Sequence, residues 1–332
     1  MSAEPKKVDG VFEGGGVKGI AFVGAVEVTE ASGYRFENVA GTSAGSIVAS
    51  FIAAGYAGAE LKTIMEGLDY REFRDKDFLD RIPLIGPALS LGLEKGIYEG
   101  DYFENWLRGH LSARGIHTFG DLVIEEYQDQ PQYRYRLQVI AADVTRGRLL
   151  ILPRDIAEYG MDPDELEVAR AVRMSISIPF FFEPVLLRHT SGETCYIVDG
   201  GLLSNYPVWI FDQEGGEPPW PTFGYKLVDP QEGRPNVIRG PLTLLAALFS
   251  TMMEAHDARY IQDHDFARTI PLPTLGVQAT DFDITKERSQ ALYESGRQAA
   301  ADFLERWDFE AYKANFRQEV ALSRSARLWR SS

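Results

Sequence analysis

The chain has 332 residues, of which 45% are hydrophobic and 25% are charged. These values are typical of soluble globular proteins and exclude a wholly disordered chain, and the length allows one large domain or two small ones. The formal net charge of -15 repels nucleic acid, so no nucleic-acid partner is predicted, and it gives no long-range attraction to anionic membranes.

Two strand-to-helix units are predicted at the start of the chain. Val8–Phe12 is a short β-prone run, and after a glycine cluster the composition of Val17–Ser32 favours a helix. Phe36–Ala40 is a second short strand, and a second glycine-containing turn leads from it into an apolar helix at Ser46–Ala54. A repeated order of strand, loop and helix is typical of α/β proteins.

The rest of the chain continues this alternation. Further strands are predicted at Tyr135–Val144, Arg148–Leu152, Pro184–Arg188, Cys195–Val198 and Thr222–Val228, and further helices at Gly100–Ser112 and Asp164–Met174. The last hundred residues add a long apolar helix at Pro241–Ile261, a strand at Ala267–Ile270 and an amphipathic helix at Lys286–Trp307. The pattern predicts an α/β fold with a largely parallel sheet covered by helices.

The domain organisation follows from the absence of repeats and long linkers in the sequence. The turn-forming stretch Gln213–Pro221 is interpreted as a surface loop, so we predict a catalytic core at residues 8–230 and a C-terminal helical extension at residues 231–332, packed on the same domain. The apolar stretch Ile82–Leu93 is interrupted by prolines and glycines. It is interpreted as an exposed flap that inserts into a lipid surface, or as buried irregular packing.

The sequence carries no signal for secretion or for crossing a membrane. Met1–Lys7 is polar, and the longest apolar run, Leu242–Met253, has 12 residues, whereas a spanning helix needs about 20. The single cysteine, Cys195, rules out an internal disulfide and fits a reducing compartment. A cytoplasmic location is predicted, with peripheral contact to a membrane as an option.

A candidate nucleophile lies in the second turn, Gly41-Thr42-Ser43-Ala44-Gly45. This matches the pattern G-x-S-x-G, in which glycines on both sides of a serine let a strand reverse tightly into a helix and expose the hydroxyl. The predicted context agrees, because a strand precedes the pattern and a helix follows it. The pattern is short, so a chance match is the alternative.

The first turn contains a run of glycines, Gly14-Gly15-Gly16-Val17-Lys18-Gly19. Consecutive glycines at the start of a helix expose backbone N–H groups, which suit a phosphate or an oxyanion equally well. A dinucleotide site is not favoured, because the nearest acidic residue, Glu37, starts the second strand instead of ending it. A P-loop is excluded, because Gly19 stands where Ser or Thr should follow the lysine.

A candidate carboxylate ends the strand predicted at Cys195–Val198. Asp199-Gly200-Gly201 follows this strand directly. Ligand-binding and catalytic groups gather at the carboxyl ends of the strands in open α/β sheets, although an isolated Asp-Gly pair is more often only a turn.

Taken in chain order, these three patterns resemble the patatin-like phospholipase family, which has a G-G-G-x-[RK]-G loop, a G-x-S-x-G elbow and a D-G-[GA] element. The resemblance extends from Val8 to Pro207. It includes Ser175–Pro184, which is similar to the segment that lies between the elbow and the aspartate in the family. The resemblance implies a three-layer α/β/α fold with a mostly parallel central sheet.

The resemblance also implies an activity and its residues. Ser43 would attack an ester carbonyl of a phospholipid or lysophospholipid, Asp199 would accept its proton, and the amides of Gly14, Gly15 and Gly16 would bind the oxyanion. No metal or organic cofactor is expected, contact with the membrane surface would be transient, and a requirement for a protein activator cannot be read from the sequence. Supporting residues would be Lys18, Gly19, Gly41, Ala44, Gly45, Gly200 and Gly201.

Two alternatives remain open at this point. A Ser-Asp-His triad of the α/β-hydrolase type could combine Ser43 and Asp199 with His256 or His264, because the chain order is right. A non-catalytic lipid-binding or regulatory protein could keep the same fold. Two further features have ordinary explanations as well, because Cys195 and the aromatic run Phe180–Phe182 both suit a core, although the aromatic run could also line an acyl-chain pocket.

Overall fold

An eight-stranded sheet forms the centre of the molecule. The computed structural model describes residues 5–67, 100–179, 181–212, 218–229, 238, 240, 244, 247–248, 251–252, 263–279, 281 and 283–316. The strands follow one another as β1 (Lys6–Phe12), β2 (Tyr34–Thr42), β3 (Leu137–Asp143), β4 (Arg148–Leu152), β5 (Val185–Arg188), β6 (Thr194–Asp199), β7 (Thr222–Val228) and β8 (Thr269–Pro273).

The sheet is mixed, with a parallel centre. Its order is β5-β6-β3-β2-β1-β7-β8, and β4 pairs with β3 outside this path. Strands β3, β2, β1, β7 and β8 run parallel to one another, whereas β4 and β6 pair antiparallel with β3, and β5 pairs antiparallel with β6. The carboxyl ends of the parallel strands therefore meet at one edge, where ligand sites of such sheets lie.

Helices cover the sheet. Their bounds are α1 (Ile20–Ala31), α2 (Ala44–Ala53), α3 (Gly58–Glu66), α4 (Asp101–Ser112), α5 (Val168–Ser175), α6 (Asp263–Ala267), α7 (Lys286–Arg306) and α8 (Phe309–Phe316). No helix in the described ranges is both long and apolar enough to cross a membrane.

The central strands bury both of their faces. In β1, Phe12 belongs to the large apolar cluster and its neighbour Val11 belongs to a smaller one that contains Trp209 and Phe211. In β3, Val139 and Ile140 are divided between the two clusters in the same way. Successive side chains of a strand point to opposite faces, so this division places one apolar layer on each side of the sheet.

Helices α1 and α7 cross at a contact that depends on two glycines. A Cβ atom at Gly24 would overlap the carbonyl oxygen of Tyr293, and a Cβ atom at Gly296 would overlap the carbonyl oxygen of Ala21. Each helix therefore presents its bare backbone to the other. Through this crossing α7 packs on α1, the helix that follows the glycine loop, and β8 pairs with β7. The predicted domain boundary at residue 230 stays a prediction.

Several predicted elements differ in their bounds. The helix expected at Asp164–Met174 begins only at Val168, because Glu167 is extended, and residues 163–165 form a separate 3-10 turn. The strand expected from Ala267 begins at Thr269, because Ala267 still belongs to α6. Helix α3 was not predicted. The predicted flap at Ile82–Leu93 lies outside the described residues, as does most of the helix expected at Pro241–Ile261.

The crossing of α1 and α7 leads to a stability prediction. Gly24→Ala should lower the free energy of unfolding by about 2 kcal/mol, because the new methyl group forces two backbones apart and this exceeds the gain in helix propensity. Gly109→Ala is the matched control, since Gly109 lies within α4 and its Cβ would meet no atom within 4 Å. The control should gain up to about 1 kcal/mol in urea unfolding. Equal stabilities of the two variants would contradict the close crossing.

Candidate active site

Ser43 occupies a strained turn between β2 and α2. Its φ is 51° and its ψ is -124°, a left-handed backbone conformation that is rare for a residue with a side chain. The neighbouring glycines make room for it, because a Cβ atom at Gly41 would overlap the backbone of Gly45, and a Cβ atom at Gly45 would overlap the carbonyl oxygen of Phe12. The turn therefore requires glycine on both sides of the serine.

Hydrogen bonds hold the backbone of Ser43 on both sides. Its carbonyl oxygen accepts from the N–H of Ser46 at 2.8 Å and from the Ser46 hydroxyl at 2.6 Å. Its N–H donates to the hydroxyl oxygen of Ser175 at 2.9 Å. Only 5% of Ser43 is exposed, so the residue is almost fully buried.

Asp199 lies next to Ser43 because of the sheet register. Thr42 pairs with Ile140, and Asp199 pairs with Ala141, the next residue of β3. The carboxylate is almost fully buried, with 1% exposed. Its Oδ1 accepts from the N–H of Gly201 at 2.8 Å, whereas Oδ2 has no hydrogen-bond partner among the described residues.

The electrostatics of Asp199 are dominated by its burial. Burial raises the pKa of Asp199 from 3.8 to about 7, and the Ser43 hydroxyl and the Gly201 N–H each act to lower this pKa. The serine hydroxyl is therefore near enough to interact with the carboxylate, while Oδ2 accepts no hydrogen bond from the described residues.

The glycine loop passes beside Ser43. A Cβ atom at Gly14 would lie 3.2 Å from the Cβ of Ser43. The Gly14 N–H donates to the carbonyl oxygen of Asn205 at 3.0 Å, so this donor is already used, and the Val17 N–H donates to the carbonyl oxygen of Ala279 at 3.1 Å. The N–H groups of Gly15 and Gly16 donate to no described residue.

The supporting residues of the sequence prediction lie around this loop and the elbow. Gly19 packs against Ala44, because a Cβ atom there would lie 3.1 Å from the Ala44 Cβ. Ala44 is the first residue of α2, so its N–H has no partner within the helix. Lys18 lies in the 3-10 turn that follows the loop, and Gly200 packs tightly against the carbonyl group of Ile140.

A buried polar network that the sequence did not reveal anchors the glycine loop. The amide nitrogen of Asn205 donates to the carbonyl oxygen of Gly14 at 3.2 Å and to Glu13 Oε1 at 3.3 Å. The Glu13 carboxylate also accepts from Lys226 Nζ at 2.8 Å and from the N–H of Leu227 at 2.5 Å. Glu13 directly precedes the glycines and Asn205 follows Asp199 by six positions, and this proximity to the motifs was the available signal.

The other candidate residues are placed less fully. His256 lies outside the described residues, and His264 lies in α6 with its side chain outside the description. Cys195 is buried, and burial raises the pKa of its thiol to about 11. Phe180 is also outside the description, whereas Phe182 is buried. Within the described part of the chain, no group of three or more His, Cys, Asp or Glu side chains could hold a metal ion.

Comparison with known proteins identifies the family. The model of the patatin-like phospholipase family matches residues 10–212, which is more than half of the chain and includes the glycine loop, the elbow and the aspartate. The chain belongs to the patatin-like phospholipase family. The predicted family and the predicted three-layer α/β/α fold with a mostly parallel sheet are thereby confirmed.

The chain is also similar to individual proteins and to a solved structure. The chain is 44% identical over 304 residues to the uncharacterised protein YqhO of Bacillus subtilis (strain 168), covering 91% of this chain and 99% of YqhO. It is 25% identical over 201 residues to a cUMP-AMP-activated phospholipase of Escherichia coli, covering 59% of this chain and 55% of that protein. The structure of VipD from Legionella pneumophila has a TM-score of 0.54 at 19% identity, covers 91% of this chain and 67% of VipD, and supports the fold alone.

The raised pKa of Asp199 leads to a prediction about stability. The folded chain binds this proton more tightly than the unfolded chain, so the stability that the carboxyl contributes is complete below pH 3.8 and is lost as the pH rises through about 7. Asp199→Asn cannot ionise. Its stability relative to the original chain should therefore increase by about 2 to 3 kcal/mol between pH 5 and pH 8 in urea unfolding.

A second carboxylate provides the control of opposite sign. Backbone N–H groups of Thr118 and His117 hold the pKa of Asp121 below its ordinary value, so this carboxylate stabilises the fold above that value. Asp121→Asn should consequently be less stable than the original chain at pH 8. A pH-independent difference for Asp199→Asn would contradict the raised pKa.

Proposed function

We propose that the chain hydrolyses fatty-acyl esters of phospholipids or lysophospholipids with a Ser43–Asp199 dyad, through an acyl-enzyme. The observation that carries the proposal is the Asp199 carboxylate, buried beside the serine with one oxygen that accepts no hydrogen bond from the described residues. A free, desolvated carboxylate oxygen next to a hydroxyl on a strained turn is suited to accept the proton of a nucleophile.

The pKa of Asp199 favours this role. An ordinary aspartate, with a pKa of about 3.9, is a weak base at neutral pH. Burial raises the pKa of Asp199 to about 7, which brings its basicity near the working pH without a histidine. The dyad is consequently preferred here to a triad with His256 or His264.

The first half of the reaction forms the acyl-enzyme. The Ser43 oxygen attacks the ester carbonyl carbon while Asp199 takes the hydroxyl proton, and a tetrahedral oxyanion results. When the carbon–oxygen bond to the leaving alcohol breaks, Asp199 returns the proton to that alcohol. The acyl group is then bonded to the Ser43 oxygen.

The second half releases the fatty acid. A water molecule attacks the acyl carbon, Asp199 takes one of its protons, and a second tetrahedral oxyanion forms. Cleavage of the bond to the Ser43 oxygen releases the fatty acid, and the proton on Asp199 restores the serine hydroxyl. Asp199 thus passes the proton of each nucleophile on to the oxygen that leaves in the same half-reaction, and the proposed cycle uses no metal or organic cofactor.

The donors for both oxyanions would come from two segments. The N–H groups of Gly15 and Gly16 donate to no residue that the structure describes and would bind a ligand, and the N–H of Ala44 occupies the position after the nucleophile, where other elbows supply a donor. Gly14, the third predicted donor, would instead hold the loop through its bond to Asn205. One good oxyanion donor contributes about 3 to 4 kcal/mol to transition-state stability, so this loop matters as much as the base.

The place of action is also part of the proposal. Two relatives, named as a probable lipid hydrolase and a phospholipase, favour a lipid substrate. We propose that the chain works at a membrane surface from a cytoplasmic location. The net charge of -15 means that local apolar contact, not general charge attraction, would bring the protein to the lipid. The relative activated by cUMP-AMP makes a small-molecule activator worth including in assays.

Removal of either member of the dyad tests the mechanism. Ser43→Ala and Asp199→Asn should each lower the rate of phospholipid hydrolysis by at least about a thousandfold, because the two groups act as one unit. His256→Ala and His264→Ala should stay within about threefold of the original rate, whereas the loss of a triad histidine costs several orders of magnitude. Fatty acid release measured by mass spectrometry distinguishes these outcomes. A collapse of activity in a histidine variant with an intact fold would favour the triad.

The glycine loop is tested by substituting two glycines that both have a positive φ. Gly16 has a φ of 57°, and a Cβ atom there would overlap the carbonyl oxygen of Ala279, so Gly16→Ala must displace the loop. The value of kcat should fall by about 100-fold or more. Gly33→Ala is the control, since φ is 86° and no atom lies within 4 Å of its Cβ. The control should lose stability but keep its kcat, and equal losses of kcat in both variants would count against the loop.

A further inference from the structure

Ser175 contacts the nucleophile from a distant part of the chain. It is the last residue of α5 and is fully buried. Its hydroxyl oxygen accepts the N–H of Ser43 at 2.9 Å and donates its own proton to the carbonyl oxygen of Ile140 at 2.6 Å. One hydroxyl group thus joins the backbone of the nucleophile to strand β3.

The Ser43 N–H lies just beyond the last residue of β2 that pairs with β3, so it needs a hydrogen-bond partner outside the sheet. Thr42 is the last residue of β2 that pairs with β3, and its partner is Ile140. At Ser43 the chain turns away from the sheet with a φ of 51°, so its N–H leaves the ladder while the carbonyl group of Ile140 stays behind. The Ser175 hydroxyl fills this gap, since a hydroxyl can accept and donate at the same time.

The same segment also holds the base. The carbonyl oxygen of Ser177 accepts the N–H of Asp199 at 2.9 Å. The Ser177 hydroxyl accepts from Arg173 Nη1 at 2.5 Å and donates to the carbonyl oxygen of Arg173 at 2.8 Å. Residues 175–177 therefore bond to the backbone of both candidate catalytic residues, and the guanidinium group of the buried Arg173 steadies them.

We propose that Ser175 is a positioning residue, which sets the orientation of the Ser43 hydroxyl relative to Asp199 through the Ser43 N–H. The inference rests on the proposed function of the dyad. Ser175 touches neither the substrate nor the reacting atoms, so its removal should slow the chemical step and leave ligand binding nearly unchanged. A displacement of about 1 Å in a reacting group costs about 100-fold in rate.

The test follows the phosphonylation of Ser43 by a fluorophosphonate in the full chain. For Ser175→Ala, the maximal inactivation rate, kinact, should fall about 100-fold, while the half-saturating concentration, KI, stays within about threefold. The pH midpoint of kinact should not fall and should shift only upward, because the burial of Asp199 and its bond to Gly201 are unchanged, while a turned Ser43 hydroxyl lowers the pKa of Asp199 less. A general loosening of the fold would alter KI and, by exposing Asp199 to solvent, would lower the midpoint.

A matched serine separates positioning from core stability. Ser50 is also buried, and its hydroxyl donates only within α2, to the carbonyl oxygen of Ile47 at 2.7 Å. Ser50→Ala should keep kinact within about twofold, with a urea midpoint measured for each variant. Ser175→Cys retains the size of the side chain with a weaker donor and acceptor, so it should lose about tenfold and remain informative if the alanine variant does not fold.

The results separate the inference from the function on which it rests. If the original chain is phosphonylated at Ser43 and Ser175→Ala or Ser175→Cys reacts at the original rate, the positioning role is wrong and the dyad stands. Losses of the same size in Ser50→Ala also overturn the role. If the original chain hydrolyses lipid but is modified at another residue, the proposed nucleophile itself is wrong.

Discussion

The backbone at Ser43 is the constraint on which the rest of the site depends. A residue with a side chain adopts a left-handed conformation there, which costs about 1 to 3 kcal/mol and persists only when surrounding contacts fix it. Gly41 and Gly45 give the turn its space, and Ser46 and Ser175 bind its carbonyl and N–H groups. The result is a serine that faces the carboxyl edge of the sheet, where the other polar groups gather.

Burial raises the pKa of the Asp199 carboxyl that lies beside Ser43. A buried carboxylate destabilises the fold when it is ionised and one of its oxygens lacks a partner, as Asp199 Oδ2 does within the described ranges, and the raised pKa of Asp199 expresses that cost. The contacts that anchor the glycine loop stabilise the fold instead, since Glu13 combines a salt bridge to Lys226 with hydrogen bonds to Asn205 and the backbone. The stabilising contacts thus lie around the glycine loop, and the unfavourable conformations and charges lie at Ser43 and Asp199.

Local patterns explain what the sequence could predict. The alternation of strands and helices predicted the sheet, and three glycine-containing motifs predicted which turns meet at its edge. Contacts that only the fold creates could not be predicted, because Ser43 and Ser175 are 132 positions apart and Glu13 and Asn205 are 192 apart. Glu13 and Asn205 each lie close to a motif, but no local spacing shows that they contact each other. The first residue of α5, Val168, was also not predicted, because the composition before it favours a helix, whereas the extended backbone of Glu167 keeps the helix from beginning earlier.

A search for the acyl-enzyme tests most directly whether Ser43 is the nucleophile. Rapid acid quenching during turnover of a phospholipid, followed by peptide mapping with mass spectrometry, reports which residue carries the fatty-acyl group. We expect an acyl group on the peptide that contains Ser43, and on no other peptide of the chain. An acyl group on a different side chain, or complete turnover in a Ser43→Ala variant, would contradict it.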